Sequence, residues 1–199
     1  MPLTIFDTPI VKHLLRAISF LYLIVFGWRK EGQLPDLPKY VIVVAPHTSN
    51  WDFMVGILAA RAIRLDAHWI GKHTLFRAPF GWLFRALGGI PVDRGRPGDV
   101  IPQVVRHFRE SPRFRLGLAP EGTRSGTDHW KSGFHHIARA AGVPIVMGWL
   151  DYPSRSVGMG GAFVPDDSLE HTFERVRAFY APYRGRYPEK ESQIRPRER

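Results

Sequence analysis

Residues 40–52 read YVIVVAPHTSNWD, and this stretch decides how the chain is interpreted. Tyr40–Ala45 is a continuous run of β-branched and apolar residues, which is typical of a strand buried on both faces. The polar loop 46–50 follows at once, and an apolar pattern from Trp51 to Arg64 then predicts a helix. The sequence therefore predicts that His47 lies just beyond a buried strand, at the carboxyl end where open α/β sheets place ligands.

The spacing of His47 and Asp52 tests whether the two side chains can meet. On one continuous helix they would point about 140° apart, at ~100° per residue. They meet only if His47 lies in the loop and Asp52 in the first helical turn, with Ser49 or Asn50 as the N-cap. A carboxylate beside an imidazole fixes its tautomer and stabilises the imidazolium, which predicts a general-base dyad. The alternative is structural: 49–52 also fits a capping box, with His47 an ordinary loop histidine.

Strand and helix patterns alternate along the rest of the chain. Helices are predicted at Ile10–Trp28, Trp51–Arg64, Val100–Glu110, Phe134–Ala141 and Ser168–Tyr180, with an interrupted helical stretch at Leu75–Leu87. Strands are predicted at Tyr40–Ala45, Ala67–Gly71, Ile90–Val92, Phe114–Ala119, Val143–Leu150 and Ser156–Val164. This alternation predicts an α/β fold, with a layered, mostly parallel or mixed sheet flanked by helices.

Three segments are expected along the chain. Residues 1–30 form an N-terminal membrane-associating helix, residues 31–183 the α/β domain, and residues 184–199 a charged tail. Residues 31–39 (EGQLPDLPK) are rich in proline and charge and are interpreted as a linker. The tail lacks apolar periodicity, so we expect it to be frayed.

The N-terminal helix has polar residues in its first turns and is apolar on all sides from Phe20 to Trp28. A helix of this kind must be buried in something. It either docks on its own domain or lies in a membrane interface with Arg16, Arg29 and Lys30 near the headgroups; we favour the interface. No apolar run is long enough to cross a bilayer and no signal-peptide cleavage site is evident. We therefore expect peripheral attachment to the cytoplasmic face of the membrane.

The amino-acid composition limits the classes of molecule that the protein is expected to bind. With 28 Lys and Arg against 18 Asp and Glu, the 199-residue chain has a net charge of +10, which attracts nucleic acid, anionic lipid or phosphorylated molecules. The arginines are scattered and no nucleic-acid motif occurs, so nucleic acid is not expected. There are no cysteines, which excludes disulfides, thiolate metal sites and a cysteine nucleophile. His129, His135 and His136 lack metal-ligand spacing, so no metal is expected.

Other polar loops also follow predicted strands. Arg94 comes after Ile90–Val92, and the loop Glu121–Ser125 (EGTRS) comes after the strand ending at Ala119. Loops at one edge of a sheet can converge on one pocket, where arginines supply planar donors for phosphate. Each loop alone would be interpreted as a surface turn.

In order along the chain, these segments resemble the motifs of the glycerolipid acyltransferase family, the 1-acyl-sn-glycerol-3-phosphate acyltransferase-like His-x4-Asp acyltransferases. His47 and Asp52 match the first motif, Gly89–Arg94 the second, Glu121–Ser125 the third, and Val143-Pro144-Ile145 the fourth. The resemblance covers roughly Val41 to Trp149. One departure is that Met147-Gly148-Trp149 stands where the fourth motif usually carries a second proline.

The resemblance implies transfer of a fatty acyl group from acyl-CoA or acyl-carrier protein to a hydroxyl of a lysophospholipid such as 1-acyl-glycerol-3-phosphate. It makes His47 the general base and Asp52 the residue that orients it, with no cofactor beyond the acyl donor. It assigns the acceptor to Arg94, Glu121, Gly122, Thr123, Arg124, Ser125 and Lys72. Lys131 is interpreted as a solvated surface lysine. A different lipid or glycolipid acceptor is the alternative, and a non-catalytic basic lipid- or nucleic-acid-binding protein is less favoured.

Overall fold

A computed structural model describes residues 9–93 and 100–197. Its helices are α1 (Pro9–Val25), α2 (Trp51–Ala62), α3 (Gly81–Ala86), α4 (Val100–Glu110), α5 (Gly133–Ala141) and α6 (Leu169–Tyr180), and short 3₁₀ helices cover His73–Phe76 and Pro188–Lys190. Its strands are β1 (Arg29–Gly32), β2 (Lys39–Ala45), β3 (His68–Lys72), β4 (Gly89–Val92), β5 (Phe114–Leu118), β6 (Ile145–Asp151) and β7 (Ser156–Phe163).

The strands form a seven-stranded mixed sheet in the order β1-β7-β6-β2-β5-β3-β4. Strands β2 to β6 are mutually parallel, β7 runs antiparallel to β6, and β1 is parallel to β7. The carboxyl ends of five strands therefore meet at one edge, and β2, which carries His47 just beyond its end, lies between β5 and β6. The predicted α/β class with a flanked, mostly parallel or mixed sheet is confirmed.

Successive side chains of β2 point to opposite faces of the sheet and pack into two separate apolar layers. Val41 and Val43 pack with residues of α4, α5 and α6 on one face, and Tyr40 and Ile42 face the opposite side. On that opposite side, α2 contributes Val55 and Ala59 to a cluster with β6 and β7. Burial on both faces explains why this strand has a continuous apolar sequence, and it makes β2 a rigid base for the loop that follows.

Strand β1 corrects one prediction. Residues 31–39 were expected to be a linker, and residues 33–38 do form an irregular connection, but Arg29–Gly32 pairs with β7 along four residues and forms the sheet edge. All of its residues are exposed (RKEG), so no apolar alternation marks it in the sequence. The strand also straddles the expected boundary between residues 30 and 31.

The C-terminal segment corrects a second prediction. We expected residues 184–199 to be frayed, but residues 184–197 as far as described fold back on the domain. The Arg184 N–H donates to Asp151 Oδ1 at 2.8 Å, and the Trp130 N–H donates to the Arg195 carbonyl at 2.9 Å. The apolar anchor is Tyr183, whose ring stacks on Trp149 at 5.0 Å. The charged sequence of this segment did not indicate that its backbone supplies the contacts.

Helix α1 packs against α2, with Ser19 and Leu23 buried. Its other side exposes the large apolar residues Leu14, Ile18, Leu21, Ile24 and Val25. Among the described residues, no helix has the length and hydropathy needed to cross a membrane. Residues 1–8 of the expected N-terminal segment lie outside the described part of the chain, and membrane association stays a prediction.

Candidate active site

His47 and Asp52 are brought together as the spacing predicts. His47 lies in the loop after β2, and Asp52 is the second residue of α2. His47 Nδ1 lies 3.2 Å from Asp52 Oδ2. With Nδ1 directed at the carboxylate, Nε2 is the nitrogen that can take up a proton. The His47 side chain is 20% exposed and the Asp52 side chain only 2%, so the ring reaches solvent while its partner does not.

Several hydrogen-bond donors surround the Asp52 carboxylate and favour its ionised form. The N–H groups of Thr48 and Ser49 each donate to Oδ2 at 2.8 Å, and the Tyr152 hydroxyl donates to Oδ1 at 2.7 Å. Burial alone would raise the pKa of this carboxyl. Hydrogen bonds from His47, Tyr152 and the Ser49 N–H outweigh burial and leave the pKa below its ordinary value. Asp52 can therefore stabilise a positive charge on His47.

The start of α2 is capped partly as expected. Asn50 occupies the N-cap position but makes no side-chain cap bond. The Ser49 hydroxyl instead accepts the Trp51 N–H at 3.2 Å. The Asp52 carboxylate folds back over the N–H groups of the loop itself, so the structural and the dyad interpretations of this segment describe the same contacts. One side chain caps the loop and orients the imidazole.

Glu121 lies behind the His47 loop and is 2% exposed. Its Oε1 accepts the backbone N–H of His47 at 2.5 Å, and its Oε2 accepts the Ser192 hydroxyl at 2.7 Å. Burial raises the pKa of this carboxyl, and the hydrogen bonds from Ser192 and His47 reduce that rise without cancelling it. Glu121 thus contacts the backbone of the candidate base.

A cavity of about 960 Å³ opens beside the dyad. Its polar side is lined by His47, Asp52, Lys72, Gly122, Thr123, Arg124, Ser125 and Lys131. Part of its apolar lining lies between α2 and the sheet, at Ile42, Val44, Ile57 and Ala60, and part lies on the opposite face of the sheet, at Ile70, Phe134 and Ile137. The arrangement offers a base, a cluster of cations and an apolar groove within one space, which suits an amphipathic anionic ligand.

Not every residue expected in the pocket lines it. Glu121 is absent from the lining of this cavity and borders a smaller one of about 480 Å³. Arg94 lies outside the described residues. Lys131, which the sequence suggested was merely solvated, lines the cavity, and its Nζ would lie 2.6 Å from a Cβ at position 122. Gly122, with φ of +66°, therefore leaves room for this amine as well as for its own left-handed backbone.

Two residues that contribute to the site were not predicted from the sequence. Tyr152 lies in the turn after β6, where the mutually parallel strands end beside the dyad, and it reaches Asp52 across 100 positions. Ser192 lies in the C-terminal segment, 71 positions from Glu121. Neither belongs to a motif, and only strand order and the return of the C-terminal segment bring them close. Among the described residues no His, Asp and Glu side chains form a group of three that could hold a metal ion.

The sequence of the chain matches that of a known protein family. The model of the Acyltransferase family matches residues 29–150, which extend from β1 through nearly all of β6. The chain belongs to the Acyltransferase family. The matched region includes the His47 loop and the EGTRS loop, whereas Tyr152 and Ser192 fall beyond it.

Similar proteins include 1-acyl-sn-glycerol-3-phosphate acyltransferases from bacteria. The protein from Salmonella typhimurium is 33% identical over 144 residues, which are 67% of this chain and 57% of that protein. The one from Escherichia coli K12 is 34% identical over 131 residues, 61% of this chain and 52% of that protein. Matches of this extent cover just over half the length of these relatives.

The fold is shared with a solved structure. The crystal structure of the 1-acyl-sn-glycerophosphate acyltransferase from Thermotoga maritima superposes with a TM-score of 0.55 at 18% identity. The match covers 86% of this chain and 76% of the Thermotoga chain. At this identity the comparison supports the mixed α/β fold and the order of its elements alone.

Proposed function

We propose that this Acyltransferase-family chain is an O-acyltransferase. It moves a fatty acyl group from acyl-CoA or acyl-carrier protein to a hydroxyl of a lysophospholipid such as 1-acyl-glycerol-3-phosphate. The observation that carries the proposal is the His47–Asp52 dyad, joined at 3.2 Å, beside a cavity with one cationic and one apolar side. The similar proteins named above support the choice of acceptor.

The chemistry follows from the dyad. His47 Nε2 removes the proton of the acceptor hydroxyl while its oxygen attacks the thioester carbonyl carbon. The tetrahedral intermediate then collapses, the carbon–sulfur bond breaks, and the thiolate takes the proton back from the imidazolium. Asp52 stabilises that imidazolium and holds the ring. An acyl-enzyme through sulfur is excluded because the chain has no cysteine.

The cations of the cavity suit the phosphate of the acceptor. Lys72, Arg124 and Lys131 line the same polar side as His47, and the hydroxyls of Thr123 and Ser125 add neutral donors. Arg94 is proposed for the same role on its sequence position. The apolar groove between α2 and the sheet then suits an acyl chain, because burying each methylene contributes about 0.8 kcal/mol.

An acceptor screen tests the activity. Free thiol released from one acyl-CoA is measured with 1-acyl-glycerol-3-phosphate, with other lysophospholipids and glycolipids, and without an acceptor. We expect release that depends on the phosphorylated acceptor, with the acylated product seen by mass spectrometry. An acyl-carrier-protein thioester assayed in parallel identifies the donor. The absence of acceptor-dependent thiol release with either donor would refute the activity.

Arg124→Ala tests the acceptor site. We expect KM for the phosphorylated acceptor to rise about tenfold or more, since a hydrogen bond to a charged group contributes about 1.5–3 kcal/mol. KM for the acyl donor should not change. Arg113→Ala is the matched control, because Arg113 is exposed just before β5, at the opposite edge of the sheet from the cavity. If KM for the phosphorylated acceptor is the same in both variants, the phosphate binds at a different place from Arg124.

We also propose that α1 attaches the protein peripherally to the cytoplasmic leaflet. Its outward side carries Leu21 and Ile24, which are 62% and 73% exposed, and Arg29 and Lys30 follow the helix. Apolar side chains beside basic ones favour an anionic interface, where each basic residue near the surface contributes ~1 kcal/mol.

Vesicle flotation tests the attachment. A double variant, Leu21→Gln with Ile24→Gln, should bind phosphatidylglycerol vesicles more weakly than the wild type. Val164→Gln removes an equally exposed apolar side chain after β7 and serves as the control. Unchanged binding of the double variant would exclude α1 as the anchor.

A further inference from the structure

Residues 185–195, here called the C-terminal strap, contact both loops of the site. The Tyr187 N–H donates to Thr48 Oγ1 at 3.2 Å, next to His47 in the loop after β2. The Gln193 N–H donates to the Thr127 carbonyl at 3.0 Å, beyond the EGTRS loop. The strap therefore ties the loop that carries the base to the loop that carries Glu121, although it lies outside the family-matched residues 29–150.

Ser192 is the strap residue that reaches Glu121. Its hydroxyl oxygen accepts the Thr127 N–H at 3.1 Å and donates its proton to Glu121 Oε2 at 2.7 Å. Because the Thr127 N–H lies on one side of the oxygen, the hydroxyl proton is directed at the carboxylate. The other carboxylate oxygen accepts the His47 N–H at 2.5 Å. A continuous chain of hydrogen bonds thus runs from Ser192 through Glu121 to the backbone of His47.

We propose that Ser192 is a positioning residue, which acts through Glu121 to fix the His47 peptide and so the imidazole over the cavity. This inference rests on the acyl transfer proposed above. Asp52 holds the ring of His47, and Glu121 holds its backbone, so the two carboxylates together define the direction of Nε2. A buried carboxylate that loses one donor binds its remaining partner in a less fixed geometry, and a catalytic base tolerates little displacement.

The alternative is that Ser192 only docks the strap. In that case Ser192→Ala would lower the melting temperature without changing the surroundings of the His47 amide or the rate of the chemical step. The experiment therefore needs a local spectroscopic signal and a separation of kcat from KM.

The first measurement uses the ¹H–¹⁵N spectrum of the full chain. The His47 amide donates a short hydrogen bond to Glu121, so its resonance reports on that bond directly. We expect Ser192→Ala to move this resonance and to speed exchange of its proton. Ser192→Thr, which keeps the hydroxyl, should leave both close to the wild type. Ser168→Ala is the matched control, because it removes a serine hydroxyl that accepts the His171 N–H at the start of α6.

The second measurement is steady-state acyl transfer. We expect Ser192→Ala to lower kcat about tenfold, on the scale of one hydrogen bond to a charged group, with KM for the acyl thioester unchanged. Ser192→Thr should restore most of kcat. If Ser192→Ala does not fold, Ser192→Cys gives the same comparison, since it has nearly the same size and a weaker donor.

The outcomes separate the two proposals. A folded Ser192→Ala variant that keeps the His47 amide resonance and the wild-type kcat overturns the positioning role. A wild-type chain that transfers no acyl group refutes the proposed function. Even then, the His47 amide resonance of Ser192→Ala shows whether Ser192 acts on His47 through Glu121: a shifted resonance supports this and an unchanged one contradicts it.

Discussion

Asp52 and Glu121 are two buried carboxylates that hold the same histidine, one by its ring and the other by its backbone. As whole residues they are 4% and 2% exposed, and burial by itself would raise the pKa of both. The pKa of Asp52 nevertheless lies below its ordinary value, whereas that of Glu121 lies above. The difference comes from the hydrogen-bond donors, because Asp52 faces more of them than Glu121 does.

The origin of those donors differs as well. Asp52 takes two of its donors, the N–H groups of Thr48 and Ser49, from within four positions of itself. Glu121 depends on His47 and Ser192, which are 74 and 71 positions away. The charge on Asp52 is therefore supported by local structure, and the environment of Glu121 exists only once distant segments have met.

The largest effect is expected at the residue that both carboxylates hold. His47→Ala should lower kcat by about 10²–10⁴, the range contributed by a positioned base, while the melting temperature stays near that of the wild type. His171→Ala is the matched control, because it breaks an exposed His–Asp pair in which Nδ1 of His171, on α6, lies 2.9 Å from Asp166, just before that helix. Near-normal turnover by folded His47→Ala protein would contradict the mechanism.

Replacing each carboxylate by its amide sharpens the comparison. Asp52→Asn should lower kcat by about 10² or more, because the imidazolium loses its counter-charge. Glu121→Gln should lower kcat only about tenfold, because it displaces the His47 backbone without removing that counter-charge. Thermal unfolding of each variant separates loss of the cap at α2 from loss of chemistry. A larger loss for Glu121→Gln than for Asp52→Asn would reverse the roles assigned to the two groups.

A smaller effect is expected from removing one donor of Asp52. Tyr152→Phe should lower kcat about three- to tenfold and unfolding free energy by about 1 kcal/mol, since one hydrogen bond to the carboxylate is lost. Tyr40→Phe is the control: its hydroxyl is buried near the amino end of β2 and has no hydrogen-bond partner among the residues that the structure describes. Equal kcat in the two variants would show that Tyr152 contributes nothing to orientation.

The smallest expected effect is the pH dependence of stability, which has opposite signs at Asp52 and Glu121. The lowered pKa of Asp52 stabilises the fold above its ordinary value of 3.8, and this contribution is lost as pH falls through the folded-state pKa. The raised pKa of Glu121 stabilises the fold below 4.5, and this contribution is lost as pH rises through the folded-state pKa.

Urea unfolding across this pH range measures both contributions. The destabilisation caused by Asp52→Asn should shrink as pH falls below 3.8, and that caused by Glu121→Gln should shrink as pH rises above 4.5. We expect changes on the order of 1 kcal/mol. Parallel trends in the two variants would contradict the opposite pKa shifts.

The features predicted from sequence are those encoded locally. The run Tyr40–Ala45 indicates a strand buried on both faces, and the spacing from His47 to Asp52 fits one arrangement of loop and helix. The position of the Thr123 loop after a strand end also predicts that it shares a cavity with His47, because the carboxyl ends of parallel strands lie at one edge of the sheet.

The features that sequence did not predict depend on tertiary pairing. Strand β1 has no apolar residue and exists because β7 offers it a partner. Tyr152 and Ser192 act across 100 and 71 positions, and no spacing rule connects such residues. The strap was expected to be a frayed tail because several of its contacts use backbone groups, on which charge and hydropathy carry no information. Its side-chain contact, from Ser192 to Glu121, joins residues 71 positions apart.

The return of the strap to Thr48 and Glu121 also sets the order in which the site can be assembled. During synthesis, residues 185–195 are made after every other described residue of the site, and a domain generally folds as a unit once its segments are available. A nascent chain that has exposed only residues 29–150 can pair β2 with β5 and β6, but it lacks the hydroxyls of Tyr152 and Ser192. The candidate base is thus held by both carboxylates in full only after residues 185–195 have been made and its longest-range contacts have formed.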